Sequence, residues 1–407
     1  MKKIYLFSAA LALTASCSNE VVVENNTDQP VQETPVAIGF SSVTDQLTRG
    51  TTKPSGTDYY LEDYHQTFAV YGTKVSQVDS LLSYVFGGDA TSAAGIQEGL
   101  TCTYDTASTA SPNEWTYKPL RYWDTQADYK FIAYAPAAAP IRYSFAKAGN
   151  EVGATDNKFV STAAYTIQGQ NLQQGVADSM EIKSGFTGVA PSTDIDIMVS
   201  DLQTADGATH KASDATVDLV FRHTLAKLNV KMNVQTNAPD TLGTAGYRVE
   251  VTSVTVNNLL STGSYDSIAW TVDSIAPLQR VNYSFSADAP GVQLYERDTY
   301  FIESLVMPQD ISADQKITLR YTITSIDEEG NEHTEPYTYA TTLGEVFKID
   351  ATAPIATQYR ENSNYTVAFH LNPMNNIVKF DAGVYDWADD ISNQIDIEEG
   401  YTLYIIN

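Results

Sequence analysis

Five histidines could act as general acids, bases or metal ligands, yet His65, His210, His223, His333 and His370 are scattered and show no H-x-x-x-H spacing. Cys17 and Cys102 are too few for a disulfide framework or a Cys-rich zinc or iron–sulfur centre. No G-x-S-x-G elbow, no Walker loop and no G-x-G-x-x-G after a strand occurs, so nucleophilic and nucleotide chemistry lack their backbone cradles. Carboxylates are abundant, and no glycosidase pair stands out among 50 Asp+Glu. Asp194-Ile-Asp196 with Asp201 offers hard oxygens to calcium. Alternation on a strand accounts for the same residues, with both aspartates outward and Ile195 and Ile197 inward. Asp386, Asp389 and Asp390 beside Trp387 read as solvated charge, as do Glu328, Glu329 and His333 at a predicted hairpin tip. His223 shares parity with Val217, Leu219 and Phe221, which predicts an inward, hydrogen-bonded core histidine. No enzyme, cofactor or metal is expected.

Trp115, Tyr117, Tyr122, Trp123 and Tyr129 crowd into one short stretch. Exposed, such rings stack on sugars, with Trp115 and Trp123 as the glycan contacts; buried, they pack a core. Core packing is the expectation.

These residues sit in a chain of 407 with 24 Lys+Arg against 50 Asp+Glu, a formal charge of −26. That balance excludes a basic nucleic-acid footprint and a polybasic hold on membranes. With 43% apolar residues, 26 Tyr and 14 Phe, the chain is too apolar for acidic disorder. Met1-Lys2-Lys3 and the apolar run Ile4 to Leu13, followed by Thr14-Ala15-Ser16, form a secretory signal over residues 1–16. Cys17, directly after the small residues, resembles a lipoprotein box, which implies acylation there and attachment to the outer membrane. Residues 17–35 are polar and Pro-punctuated, a tether.

From Val36 onward the period is two. Ile38 and Phe40 alternate, as do Val217, Leu219 and Phe221, then Ala226 to Val234 on the other parity. That switch at His223-Thr224 predicts a bulge or a bend between sheets. Tyr247, Val249 and Val251 switch parity before Val254 and Val256. Ile317 to Ile323 leads to a turn where Gly330 supplies positive φ. Short strands with Gly, Asn, Pro and Thr-rich joints predict an all-β fold of two tandem β-sandwich domains, at residues 36–209 and 210–407.

Several segments together resemble the fimbrillin family, the type V pilins of gut and oral anaerobes. They are Phe68-Ala-Val-Tyr71-Gly72, Trp115-Thr-Tyr117-Lys-Pro119 with Tyr122-Trp123, and Phe131-Ile-Ala-Tyr134-Ala-Pro136. Asp196-Ile-Met198-Val, Leu219-Val-Phe221-Arg-His223-Thr-Leu225-Ala-Lys227-Leu228, Leu305-Val-Met-Pro308-Gln309 and Tyr365-Thr-Val367 with Trp387 complete the set. The resemblance implies a transthyretin-like, fimbrillin-type sandwich pair and export as a lipoprotein. It further implies cutting by an Arg-specific maturation protease, here between Arg49 and Gly50, although the family more often has alanine after the arginine. Loss of the first strand then opens a groove that a neighbouring pilin subunit fills with its C-terminal segment. The product is a surface fimbrium, with a host or bacterial surface ligand as an adhesion partner.

The residues make such an exchange physically reasonable. Val36-Ala-Ile38-Gly-Phe40 is a short strand between a tether and a Thr-rich loop, where proteolysis concentrates. Its departure leaves an edge that invites strand addition. Tyr401, Leu403 and Ile405 share one parity and form a candidate donor strand. The same tail could instead close its own domain as a last strand, and parity does not say which. Two other functions fit the composition: a glycan-binding lipoprotein that stays anchored at Cys17 without polymerising, and a calcium-stiffened adhesin at a pilus tip.

Overall fold

A computed structural model describes residues 34–44, 61–87, 99–105, 115–139, 141, 143–146, 158–161, 163–166, 194–213, 216–235, 246–265, 269–272, 280–327, 329–348 and 355–387. The alternating segments become strands, as their pattern requires. A nine-stranded sheet runs from the edge strand Phe40–Thr44 through Val217–His223, Met198–Ser200, Ala127–Ala135, Thr67–Ser76 and Leu100–Tyr104 to Trp115–Thr116. Leu82–Phe86 joins Thr67–Ser76, and Gln203–Asp206 joins Ala127–Ala135.

Both faces of this sheet are apolar, which explains the unbroken buried runs in its central strands. Phe68, Val70, Phe131 and Ala133 line one core, together with Phe40 and Phe221. Ala69, Tyr71, Ile132 and Tyr134 point the other way, into a second and larger core. A strand covered on both sides has no polar face to alternate with.

The larger core is filled mainly by two further sheets. One orders Thr299–Val306, Ala226–Val234, Ser363–Asn372 and Ile377–Asp386. The other orders Arg280–Ser286, Tyr247–Leu260, Lys316–Ile326 and Glu332–Thr342. Leu228, Val230 and Met232 from the first meet Val249, Val251 and Leu319 from the second in one apolar cluster. The architecture is all-β and of tandem-sandwich type. Among the described residues no helix is long and apolar enough to cross a membrane, a statement that does not bear on β-barrels.

The parity switches have physical counterparts. At His223 the chain leaves the nine-stranded sheet and at Ala226 it enters the four-stranded one, so the switch is a bend between sheets. Thr224 holds the bend by donating from both its N–H and its hydroxyl to the Ile197 carbonyl, at 2.8 and 2.9 Å. Val217, Leu219 and Phe221 supply side chains to the first core, and the chain crosses between the sheets after His223. In the strand Tyr247–Leu260 the register shifts between Val251 and Ser253, a bulge where parity changes. Gly330 has φ +86° at the tip of the hairpin joining Lys316–Ile326 to Glu332–Thr342.

Candidate functional site

The first strand among the described residues, with the residues just before it, occupies a seat built by segments far from it in sequence. Residues 36–38 pair antiparallel with 121–123: Ala37 bridges Tyr122, Ile38 N–H donates to the Arg121 carbonyl at 2.8 Å, and Trp123 N–H donates to Val36 at 3.1 Å. The chain then runs parallel to Val217–His223, with Phe40 opposite Val217 and Thr44 opposite Phe221. Val217 N–H donates to the Gly39 carbonyl at 2.9 Å, which joins the two legs. Among the described residues Phe40–Thr44 has one strand neighbour and forms the edge of its sheet.

Alternation sends Ile38, Phe40 and Ser42 inward, while the Ser41 hydroxyl faces out and bonds the Asp218 carboxylate. Ile38 is 1% exposed and Phe40 not at all. The Phe40 ring lies 5.4 to 6.0 Å from the rings of Phe86, Phe131, Tyr117 and Phe68, mostly edge-on. Burying these two side chains stabilises the sheet by roughly 3–6 kcal/mol. Two donors complete the seat. The Tyr117 hydroxyl donates to the Ile38 carbonyl at 2.6 Å, and the Trp115 indole Nε1 donates to Ser42 Oγ at 2.9 Å. Burial pushes the Tyr117 phenol up to about 12, so it stays protonated and remains a donor. Because Trp115 belongs to the strand at the opposite end of the sheet, its bond to Ser42 shows that the sheet curls until its ends meet.

Trp115 and Trp123 are therefore not an exposed sugar platform. They are 5% and 6% exposed, and their faces are spent on packing. Trp115 lies against Phe68 at 4.8 Å and Tyr104 at 5.3 Å, and Trp123 lies against Tyr129 at 4.8 Å and His210 at 4.9 Å. Tyr122 alone of the five rings is exposed. The physical reason is that a curled sheet needs large side chains to fill the space between its ends.

The acidic cluster is also dispersed. Asp194 is buried rather than outward, and Asp201 pairs with Arg222. Asp196 meets His223, whose Nδ1 lies 2.9 Å from the carboxylate. Among the described residues no group of three or more His, Cys, Asp and Glu could hold a metal ion. Burial alone would raise the Asp196 carboxyl, but the charge and hydrogen bond of His223, with His65 and Lys227 beyond, hold it below the usual range. His223 is inward, 2% exposed, and stacked on Trp387 with ring centres 4.0 Å apart. Its partners come from both sides of the bend, since Asn362 Oδ1 accepts from its N–H at 3.3 Å. This anchor at the end of the strand beside the seat was not foreseen beyond the parity of His223. Cys17, Arg49, Gly50, Tyr401, Leu403 and Ile405 lie outside the described residues.

The sheet thus wraps the strand Phe40–Thr44 in an aromatic cage, with two side-chain donors aimed at residues 38–42. These features define an all-β tandem-sandwich protein completed by an edge strand. The chain belongs to the fimbrillin-like family, whose model matches residues 67–387. It is similar to a fimbrial protein from Bacteroides vulgatus over 86% of this chain and 99% of that one, at 15% identity and a TM-score of 0.51. The fimbrial anchor protein Mfa2 from Porphyromonas gingivalis aligns over 87% of this chain and 99% of its own, at 11% identity and a TM-score of 0.31. None of the curated proteins matches the chain.

Proposed function

We propose that this protein is a structural subunit of a cell-surface fimbrium, contributes to adhesion, and assembles by exchanging the strand Phe40–Thr44. The observation that carries this reading is the seat itself. It is deep and apolar, yet it is filled by a five-residue edge strand tied to the rest of the chain through the segment that contains Arg49. In this reading the precursor is exported and lipidated at Cys17, which holds it at the outer membrane. An Arg-specific protease cuts between Arg49 and Gly50, and the tether leaves together with the first strand. The emptied seat exposes apolar surface and unpaired backbone groups, which favour strand addition. The C-terminal segment of a neighbouring subunit, with Tyr401, Leu403 and Ile405 inward, takes the place. Membership of the fimbrillin-like family supports a role in fimbriae, and the similarity to a fimbrial protein supports the fold on which it rests.

Purified precursor treated with an Arg-specific protease tests the reading. A new N-terminus at Gly50 should appear together with ladders or filaments, and deletion of residues 401–407 should abolish them. Monomers that persist after clean cleavage at Arg49 would contradict it.

A further inference from the structure

The seat is not uniformly apolar, and its polar groups impose a condition on any occupant. Trp115 Nε1 is buried beneath the strand and finds its acceptor in a side chain, Ser42 Oγ, at 2.9 Å. The Tyr117 hydroxyl uses a backbone carbonyl, which every strand running in the same direction offers. A buried indole N–H without an acceptor carries the full cost of desolvation. Since side chains alternate with period two, the requirement is apolar, any, apolar, any, acceptor, in the order Ile38, Phe40, Ser42. Val36 packs partly buried at the preceding inward position.

We infer that this seat reads a side-chain acceptor at the Ser42 position as well as apolar bulk. Residues Tyr401, Leu403, Ile405 and Asn407 of a second copy meet that condition in register with Val36, Ile38, Phe40 and Ser42. The inference rests on the proposed strand exchange and specifies its register. Keeping the chain direction preserves the backbone pairings that Ile38, Gly39 and Val36 now make with Arg121, Val217 and Trp123. Asn407 then presents the carbonyl of a neutral side-chain amide to Trp115. The other tail register of the same direction, Ile395, Ile397 and Glu399, would place a carboxylate against a neutral donor and carry the desolvation of its charge. Ile405 is smaller than Phe40 and fills less of the space between Phe68, Phe86, Tyr117 and Phe131, so the polar match contributes a larger share of the selectivity.

The test uses full-length precursor, cleaved and assembled, in the parent and in N407A, N407T, T402A, I405F and W115F forms. Exchange of labelled subunits out of finished polymers is timed, and thermal unfolding of each uncleaved precursor controls for folding. N407A should exchange about tenfold faster than the parent, and N407T should restore slow exchange. I405F, which returns the displaced ring to its cage, should exchange more slowly than the parent. In a W115F background N407A should add nothing, because the donor it served is gone. Equal exchange by N407A and the parent, or an unchanged N407A effect in W115F, would overturn the inference while leaving strand exchange intact. So would a loss with T402A in place of N407A, which would place the strand in the opposite direction. A parent that never polymerises after clean cleavage would sink the assembly reading itself.

Discussion

Two edge strands of this protein solve the problem of an open sheet edge in opposite ways. Glu332–Thr342 is eleven residues long, mostly exposed, and paired along its whole length with Lys316–Ile326 through a tight hairpin. It carries Pro336 and the charged Glu332 and Glu335, features that discourage pairing with other chains. Phe40–Thr44 is five residues long, and its partner lies 177 residues away in sequence at Ser41 and Asp218. Phe40 within it and Ile38 just before it are buried. The hairpin edge cannot leave its sheet without unfolding it, whereas one backbone cut between residues 44 and 61 would leave the N-terminal strand held by noncovalent contacts alone. The contrast shows that strength of burial and permanence of attachment are separable: the better-buried edge is the one held by the fewest covalent constraints.

The largest expected effect tests that separation directly. Phe40→Ala should destabilise the uncleaved protein by about 3–5 kcal/mol in urea unfolding, because it empties the aromatic cage. Thr338→Ala on the exposed hairpin edge should stay within about 0.5 kcal/mol. Comparable losses at the two sites would break the contrast.

The anchor beside the seat gives the next effect. Asp196→Asn should cost about 1–3 kcal/mol at neutral pH, since it replaces a charged acceptor of a buried imidazole by a neutral amide oxygen. The pH dependence has a defined sign. Asp196 is held below its unfolded value of 3.8, so its contribution is present above that value and lost as pH falls through the folded one. His65, lowered from 6.5 chiefly by burial, adds a loss between pH 6.5 and its folded value, because the unfolded chain binds the proton more readily there. Melting curves of Asp196→Asn should therefore show a flatter acid limb than the parent, with the decline near pH 6 retained.

Smaller effects sharpen the other side of the comparison. Replacing Glu335 and Pro336 together by valine should make the hairpin edge adhesive, seen as concentration-dependent association by light scattering with little change in melting. Glu332→Gln, which breaks the exposed pair with Arg248, should leave the unfolding midpoint unmoved. A clear shift there would mean that the hairpin edge owes its permanence to charge pairing rather than to its turn.

The sequence pattern carried the sides of strands but not their partners. Period two placed His223 inward, located the bend at Thr224 and marked the bulge after Val251, because these are local consequences of parity. It could not show that Phe40–Thr44 runs parallel to Val217–His223, or that Ala226–Val234 runs parallel to Ser363–Asn372, since such pairings depend on contacts between distant segments. The aromatic run at 115–129 was ambiguous for the same reason. Only the curl of the sheet decides that Trp115 and Trp123 face inward and Tyr122 outward. Asp194 and Asp196 looked like alternating surface residues until the bend brought His223 against Asp196. The seat was legible as an apolar strand before a Thr-rich loop. Its two donors were not, because a hydrogen bond between residues 42 and 115 leaves no periodic trace. The family match begins at Thr67, downstream of that strand, so the strand is placed by geometry, while the residues that form its seat lie within the match.

The most direct measurement is the N-terminal sequence and intact mass of subunits recovered from assembled polymers. A chain that starts at Gly50, with residues 36–44 absent from the particle, is the predicted result. Polymers whose subunits retain Phe40–Thr44 would contradict strand exchange.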